Sequence, residues 1–158
     1  MKWKKIFFNI FIYVFIVCFS IVLHELAHCF VCELLGGECL EINPLGTETE
    51  RNPHVVLVIK ELHCRRMTLV AGSFFNVLIM SILVVIGKKK DIWGMFLASY
   101  GMIFSEIFYW TTSPLIGRGD AYMLLQTMPL IEPIYFSILM EILFIYVMFK
   151  YLYDIKEM

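Results

Sequence analysis

The run Ile6-Phe-Phe-Asn-Ile-Phe-Ile-Tyr-Val-Phe-Ile-Val-Cys-Phe-Ser-Ile-Val-Leu23 holds 18 residues without a charge and leads directly into His24-Glu25-Leu26-Ala27-His28. A helix rises about 1.5 Å per residue, so roughly 20 apolar residues cross a hydrocarbon layer about 30 Å thick. The continuation carries two histidines and a glutamate at or near membrane depth, where ionisable groups are costly and mark function. One stretch thus sets the fold class and locates the chemistry.

Three more stretches read as spans. Met67 to Ile86 is 20 residues without a charge, Ile92 to Trp110 is 19 with only Glu106, and Pro133 to Phe149 is 17 with only Glu141. Backbone polar groups in lipid must be paired within the segment, which selects helices. The expected fold is an all-α integral membrane protein of four transmembrane helices, folded as a single domain over residues 1–158. The first helix should run from about Lys5 to Leu35, where Gly36-Gly37 supplies a left-handed cap. Trp3, Trp93, Trp110, Tyr109, Tyr151 and Tyr153 fall near span ends, where interfacial aromatics belong. The whole composition agrees: 60% hydrophobic, 16% aromatic, with a mean hydropathy of +0.78. That excludes an ordinary water-soluble globule and a disordered chain. A formal net charge of −1 gives no reason to expect nucleic acid.

Lys2, Lys4 and Lys5 ahead of an apolar run imitate a signal peptide, but no small-residue cleavage site follows, so the segment is read as retained. Four spans place eight lysines (2, 4, 5, 88, 89, 90, 150 and 156) on one side. Arg51, Lys60, Arg65, Arg66 and Arg118, five in all, fall on the other. The positive-inside rule then puts both termini in the cytoplasm, and the expected location is a prokaryotic cell membrane. The histidine motif begins about 27 Å along the helix from Ile6, close to the far, extracytoplasmic edge.

Between the first two spans, Cys39-Leu-Glu-Ile-Asn43 and Val55-Val-Leu-Val-Ile59 read as two short strands separated by turn signals at Pro44, Gly46 and Asn52-Pro53. A small interfacial β-hairpin is expected. It is either a cap on the bundle or an edge that an extended peptide can join by strand addition. Five cysteines do not close a disulfide framework. Cys29 and Cys32 read as small buried residues of the first helix, and Cys39 and Cys64 are the pair in one loop able to bond if that loop is extracytoplasmic.

His24-Glu25-Leu-Ala-His28 is an H-E-x-x-H motif. Spacing i, i+4 sets both imidazoles on one helix face, about 5–6 Å apart at Cβ. Together they can hold one Zn²⁺, while Glu25 beside them can act as general base toward a water that the ion activates. The alternative is an interfacial polar patch. Catalytic zinc needs a third protein ligand. His54, His63, Glu41, Glu48, Glu106 and Asp120 are the candidates, and Asp120 is the best of them. It ends the Pro- and Gly-rich break Ser113-Pro-Leu-Ile-Gly-Arg-Gly-Asp120, just before a short helical run from Ala121 to Thr127. Its plain alternative is a helix N-cap.

These segments resemble the site-2 protease family of intramembrane zinc metalloproteases. His24-Glu25-Leu-Ala-His28 lies in a span. Gly72-Ser-Phe-Phe-Asn76 looks like the family's Gly-x-x-x-Asn segment, and Pro114-Leu-Ile-Gly-Arg-Gly-Asp120 like its Pro-rich segment ending in an aspartate ligand. Order and placement agree across most of the chain, without a PDZ or CBS module. Gly119-Asp120-Ala121 stands where the family has Leu-Asp-Gly, and Ser73 where it often has proline. The resemblance implies that His24, His28 and Asp120 are zinc ligands, Glu25 the catalytic base and Asn76 a catalytic residue touching substrate backbone or the oxyanion. It also implies an interfacial hairpin between Glu38 and His63, and cleavage in or near a transmembrane segment of a membrane protein or peptide substrate.

Nearby residues keep two readings each. Asn76, with Ala71, Gly72 and Ser73, can instead serve close helix packing. Arg118 can stabilise charge at the site or face headgroups. Glu106 and Glu141 are embedded acids that pair inside the bundle or line a proton or metal path. Two functions of other classes compete with the peptidase: a non-catalytic membrane metal-binding or regulatory protein, and a metal transporter.

Overall fold

The computed structural model describes residues 2–42, 55–58, 62–128 and 131–157. Among them the order is α1 (Lys2–Leu34), β1 (Glu38–Ile42), β2 (Val55–Val58), α2 (Leu62–Lys90), α3 (Trp93–Ile116), α4 (Asp120–Gln126) and α5 (Pro133–Lys156). Three helices among the described residues are long and apolar enough to cross a membrane: Trp3–Leu34, Cys64–Lys90 and Ile134–Lys156. Their outer faces carry Phe7, Phe11, Phe15, Phe74, Leu139 and Phe149, all exposed. Apolar surface on that scale requires an apolar solvent.

The third expected span corresponds to α3, which is not one of these three. It is the inner helix and packs against α1, α2, α4 and α5. One side of it meets protein and buries Ser99, Tyr100, Glu106, Trp110 and Ser113 at the expense of hydropathy, while Leu97 and Phe108 stay exposed on the other. Trp110 and Tyr151 were expected at the interface, but both turn inward. Trp110 donates to Ser73, and the Tyr151 ring packs on Phe96, Tyr100 and Phe104.

α1 ends as its glycines demand. Gly36 takes φ 78°, and the amide of Gly37 bonds back to the Cys32 carbonyl at 2.9 Å, the bond pattern of a left-handed C-terminal cap. The chain then reverses into β1, which pairs antiparallel with β2, from Glu38 opposite Val58 to Ile42 opposite Val55, with an irregularity between Cys39 and Glu41. The segment joining the two strands, with Glu48 and His54, lies outside the described residues, as do Arg51 and Lys60.

The cysteine expectation needs correction. Cys39 bonds to Cys29 of α1, while Cys32 and Cys64 are buried and form no disulfide. The reversal at Gly36 lays β1 back along the last turns of α1, so the partner ten residues away is nearer than the one across the loop.

Contacts gather the lysine-bearing ends. Lys5 pairs with Asp91 at 2.6 Å, and Gly94 N–H donates to Asn9 Oδ1 at 2.7 Å. The hydrogen bond and charge of Lys5 hold the Asp91 carboxyl below its ordinary range; both groups are exposed, so the pair contributes little to stability. Deeper in, Asp154 is 5% exposed. It accepts from Lys88 at 3.0 Å, Lys150 at 2.9 Å and Tyr100 at 2.6 Å, tying α2, α3 and α5 together. Glu141, by contrast, lies exposed on α5 rather than inside the bundle.

Asp154→Asn removes the charge but keeps the shape. Hydrogen bonds to charged groups contribute about 1.5–3 kcal/mol each in net terms. The thermal unfolding midpoint of the detergent-solubilised protein should fall, by an amount equivalent to about 2 kcal/mol, while Asp91→Asn should leave it nearly unchanged.

Candidate metal centre

His24 and His28 lie on one face of α1, with ring centroids 4.9 Å apart. Asp120 arrives from the other side of the bundle. α3 continues through Pro114, is capped by Gly117 at φ 73°, and the chain restarts as α4 after Gly119 at φ 88°. Both glycines use left-handed backbone that other residues rarely adopt. A Cβ at Gly119 would also fall 2.5 Å from the Tyr109 hydroxyl and 2.8 Å from Ser113 Oγ. Asp120 is the first residue of α4, and its N-cap position belongs to Gly119, which has no side chain to cap with. The N-cap reading of Asp120 is therefore replaced: its carboxylate faces the two histidines.

The donor atoms form a nearly equilateral triangle. His24 Nε2 and His28 Nε2 are 3.1 Å apart. Asp120 Oδ2 lies 3.4 Å from the first and 3.3 Å from the second. A tetrahedral zinc site with bonds of about 2.0–2.1 Å has ligand-to-ligand edges of about 3.3–3.4 Å. The three atoms match one face of that tetrahedron and leave the fourth vertex to another ligand. Among the described residues, this trio is the group of histidine, cysteine and acidic side chains spaced to hold a metal.

Both rings are anchored from behind. His28 Nδ1 is 2.7 Å from the Thr68 carbonyl oxygen. A carbonyl can only accept, so Nδ1 carries the hydrogen and, in the neutral ring, Nε2 carries the lone pair. His24 Nδ1 is 2.9 Å from Glu106 Oε1, which gives the same tautomer. With neutral rings three lone pairs therefore face one point, an arrangement made favourable by positive charge there, carried by a metal ion or by a proton on one ring. The donor set and the charge both fit a divalent ion. With neutral imidazoles, Asp120 and Glu106 supply two negative charges that offset it, which limits the cost of burying the assembly.

Glu106 was an alternative third ligand. It instead holds His24 from the side opposite Asp120, with Ser73 Oγ at 2.7 Å and Asn76 Nδ2 at 2.5 Å donating to it. Asn76 is 1% exposed and its Oδ1 accepts from Ser20 at 2.7 Å. Both ends of that amide are used behind the ring, as in its packing reading. Glu25 is buried in the same turn of α1. The side chains of Glu41 and His63 lie outside the described residues, and Arg118 is exposed.

Tyr109 is a residue that sequence reasoning assigned to the interface and that belongs beside the centre. Its hydroxyl accepts from the Asp120 amide at 2.8 Å and lies 3.5 Å from Oδ2, and its ring meets His24 edge-on at 6.4 Å. Its place one helical turn after a buried acid was the available signal. Gly72 is the other. A Cβ there would collide with His28 Nε2 and come within 2.7 Å of His24 Nε2; glycine lets α2 pass against the metal-binding face.

Comparison with protein families, curated proteins and solved structures finds no match for this chain.

Gly72→Ala tests the fit. Overpacking costs about 1–3 kcal/mol, so zinc affinity should drop about tenfold or more by chelator competition, with helix content unchanged by circular dichroism. Unchanged affinity would mean that the two rings are not confined as described.

Proposed function

We propose that this chain is a multi-pass membrane zinc metallopeptidase that hydrolyses a peptide bond in or near a transmembrane segment of another membrane protein, as its resemblance to the site-2 protease family implies. The convergence of His24 Nε2, His28 Nε2 and Asp120 Oδ2 on one point carries this reading, and Glu25 in the same helical turn makes it a catalytic rather than a purely structural centre. α3 serves as the fourth membrane-crossing helix, and the strand pair sits at the interface.

Zinc, held by His24, His28 and Asp120, would polarise the scissile carbonyl and lower the pKa of a coordinated water. The protein's own part is proton handling and alignment. The Glu25 carboxylate takes the proton of the attacking water and returns it to the departing amide nitrogen. Thr68 and Glu106 keep the two rings aimed. Asn76 acts through Glu106 as a positioning residue rather than by touching the oxyanion. Substrate must present extended backbone, because a helical carbonyl is already hydrogen-bonded. The Cys29–Cys39 bond ties β1 to α1 one residue beyond His28, so a peptide strand added to this sheet would run past the centre.

The orientation follows from two separate features. Lysines gather at the end opposite the histidines, which favours that end in the cytoplasm. Disulfides persist in oxidising compartments, which favours Cys29, Cys39 and the centre on the extracytoplasmic side.

Glu25→Gln should lower proteolysis by about 10²–10⁴-fold while zinc stoichiometry stays that of wild type. The readout is mass spectrometry of new membrane-protein termini in cells carrying each version. The same termini at the same rate with Glu25→Gln would contradict the peptidase reading and favour a binding or transport role. In intact cells, a membrane-impermeant maleimide should label Cys39 only after an impermeant reductant is added. Labelling without reductant, or protection after it, would reverse the orientation or remove the bond.

A further inference from the structure

A carboxylate buried at membrane depth in an inner helix is expensive and must be satisfied. Glu106 on α3 is 8% exposed, and its satisfaction is directional. The indole Nε1–H of Trp110 can only donate, and it donates to Ser73 Oγ at 2.5 Å. That leaves the Ser73 hydroxyl hydrogen for Glu106 Oε2, at 2.7 Å. Ser20 Oγ donates to Asn76 Oδ1 at 2.7 Å, which turns the Asn76 amide N–H toward Glu106 Oε1, at 2.5 Å. Two side-chain relays, one from α1 through α2 and one from α3 through α2, thus end as donors on one carboxylate. The further donor it meets is His24 Nδ1, at 2.9 Å.

We propose that Glu106 is the positioning residue for the metal ligand His24. It fixes the Nδ1–H tautomer, aims Nε2 at the metal point and makes the imidazole a stronger ligand, with Ser73, Asn76, Ser20 and Trp110 fixing Glu106 in turn. What this positioning is for rests on the metallopeptidase reading; the hydrogen bond to His24 does not. The two histidines are held by different means. His28 depends on the main-chain carbonyl of Thr68, which side-chain substitution leaves in place. His24 depends on side chains alone. A change at residue 106 therefore acts directly on the His24 ring, while the Nδ1 bond of His28 stays in place.

The test uses the full-length protein in detergent, with two readouts: Zn²⁺ affinity by chelator competition, and the imidazole N–H proton resonances of the metal-free protein. Outer-shell partners of this kind alter metal affinity by about 10–100-fold. Glu106→Gln should weaken Zn²⁺ binding by that factor, move the low-field Nδ1–H resonance of His24 upfield and leave that of His28 in place. Ser73→Ala, which keeps the carboxylate and removes one competing donor, should move the His24 resonance the opposite way. It also serves if Glu106→Gln does not fold. Wild-type affinity together with an unmoved His24 resonance, in whichever variant folds, overturns the proposal. A wild-type protein that binds no Zn²⁺, while Glu106→Gln still shifts His24 alone, refutes the metallopeptidase reading and upholds the positioning role.

Discussion

The structure turns on a conflict that its own hydrogen bonds create. Thr68 and Glu106 occupy the Nδ1 side of two imidazoles, and by doing so commit both Nε2 lone pairs to the space already faced by Asp120. Three acceptors held 3.1–3.4 Å apart repel one another unless positive charge lies between them. The surrounding bundle exists to keep them there. α2 passes close enough to confine the rings only because residue 72 has no side chain, and α4 starts where it does because Gly117 and Gly119 allow the turn.

Burial makes this arrangement stringent. Unpaired charge is costly in a low-dielectric interior, and partly satisfied polar networks are worse than none. The chain answers with a nested set. Glu106 and Asp120 carry the charge to balance a dication, Ser73 and Asn76 donate to Glu106, and Trp110 and Ser20 fix Ser73 and Asn76. The opposite end of the bundle uses a simpler device, one buried aspartate shared by two lysines and a tyrosine. Charge at one end serves helix assembly; at the other it serves the ligand geometry.

Much of this was legible in the amino-acid sequence, and the boundary is physical. His24 and His28 are readable as a pair because i, i+4 spacing on a helix is a local fact. Asp120 is readable because glycines on a broken helix announce an irregular backbone beside it. The strands were placed to within a residue or two from β-branched and turn residues. Glu106 as an anchor was not readable, since its partner His24 is 82 residues away and sequence says only that a buried acid must pair. The bonding of Asn76 was not readable for the same reason: its amide direction is decided by Ser20, on another helix. The Cys29–Cys39 pairing was missed because Cys29 was taken as helix interior, although the Gly36-Gly37 reversal between the two cysteines was itself recognised. Trp110 and Tyr109 were misplaced because an aromatic near a span end looks the same from the sequence whether it faces headgroups or protein.

The most direct test of the central claim is X-ray absorption at the zinc edge of the purified, zinc-loaded protein. Cys32 and Cys64, which form no disulfide, lie at the same end of the bundle, so a sulfur site is the natural rival. The account predicts an inner shell of nitrogen and oxygen only, at about 2.0–2.1 Å, with the outer-shell scattering of two imidazoles. A sulfur shell near about 2.3 Å, or zinc that washes away without leaving two imidazoles in its shell, would contradict it.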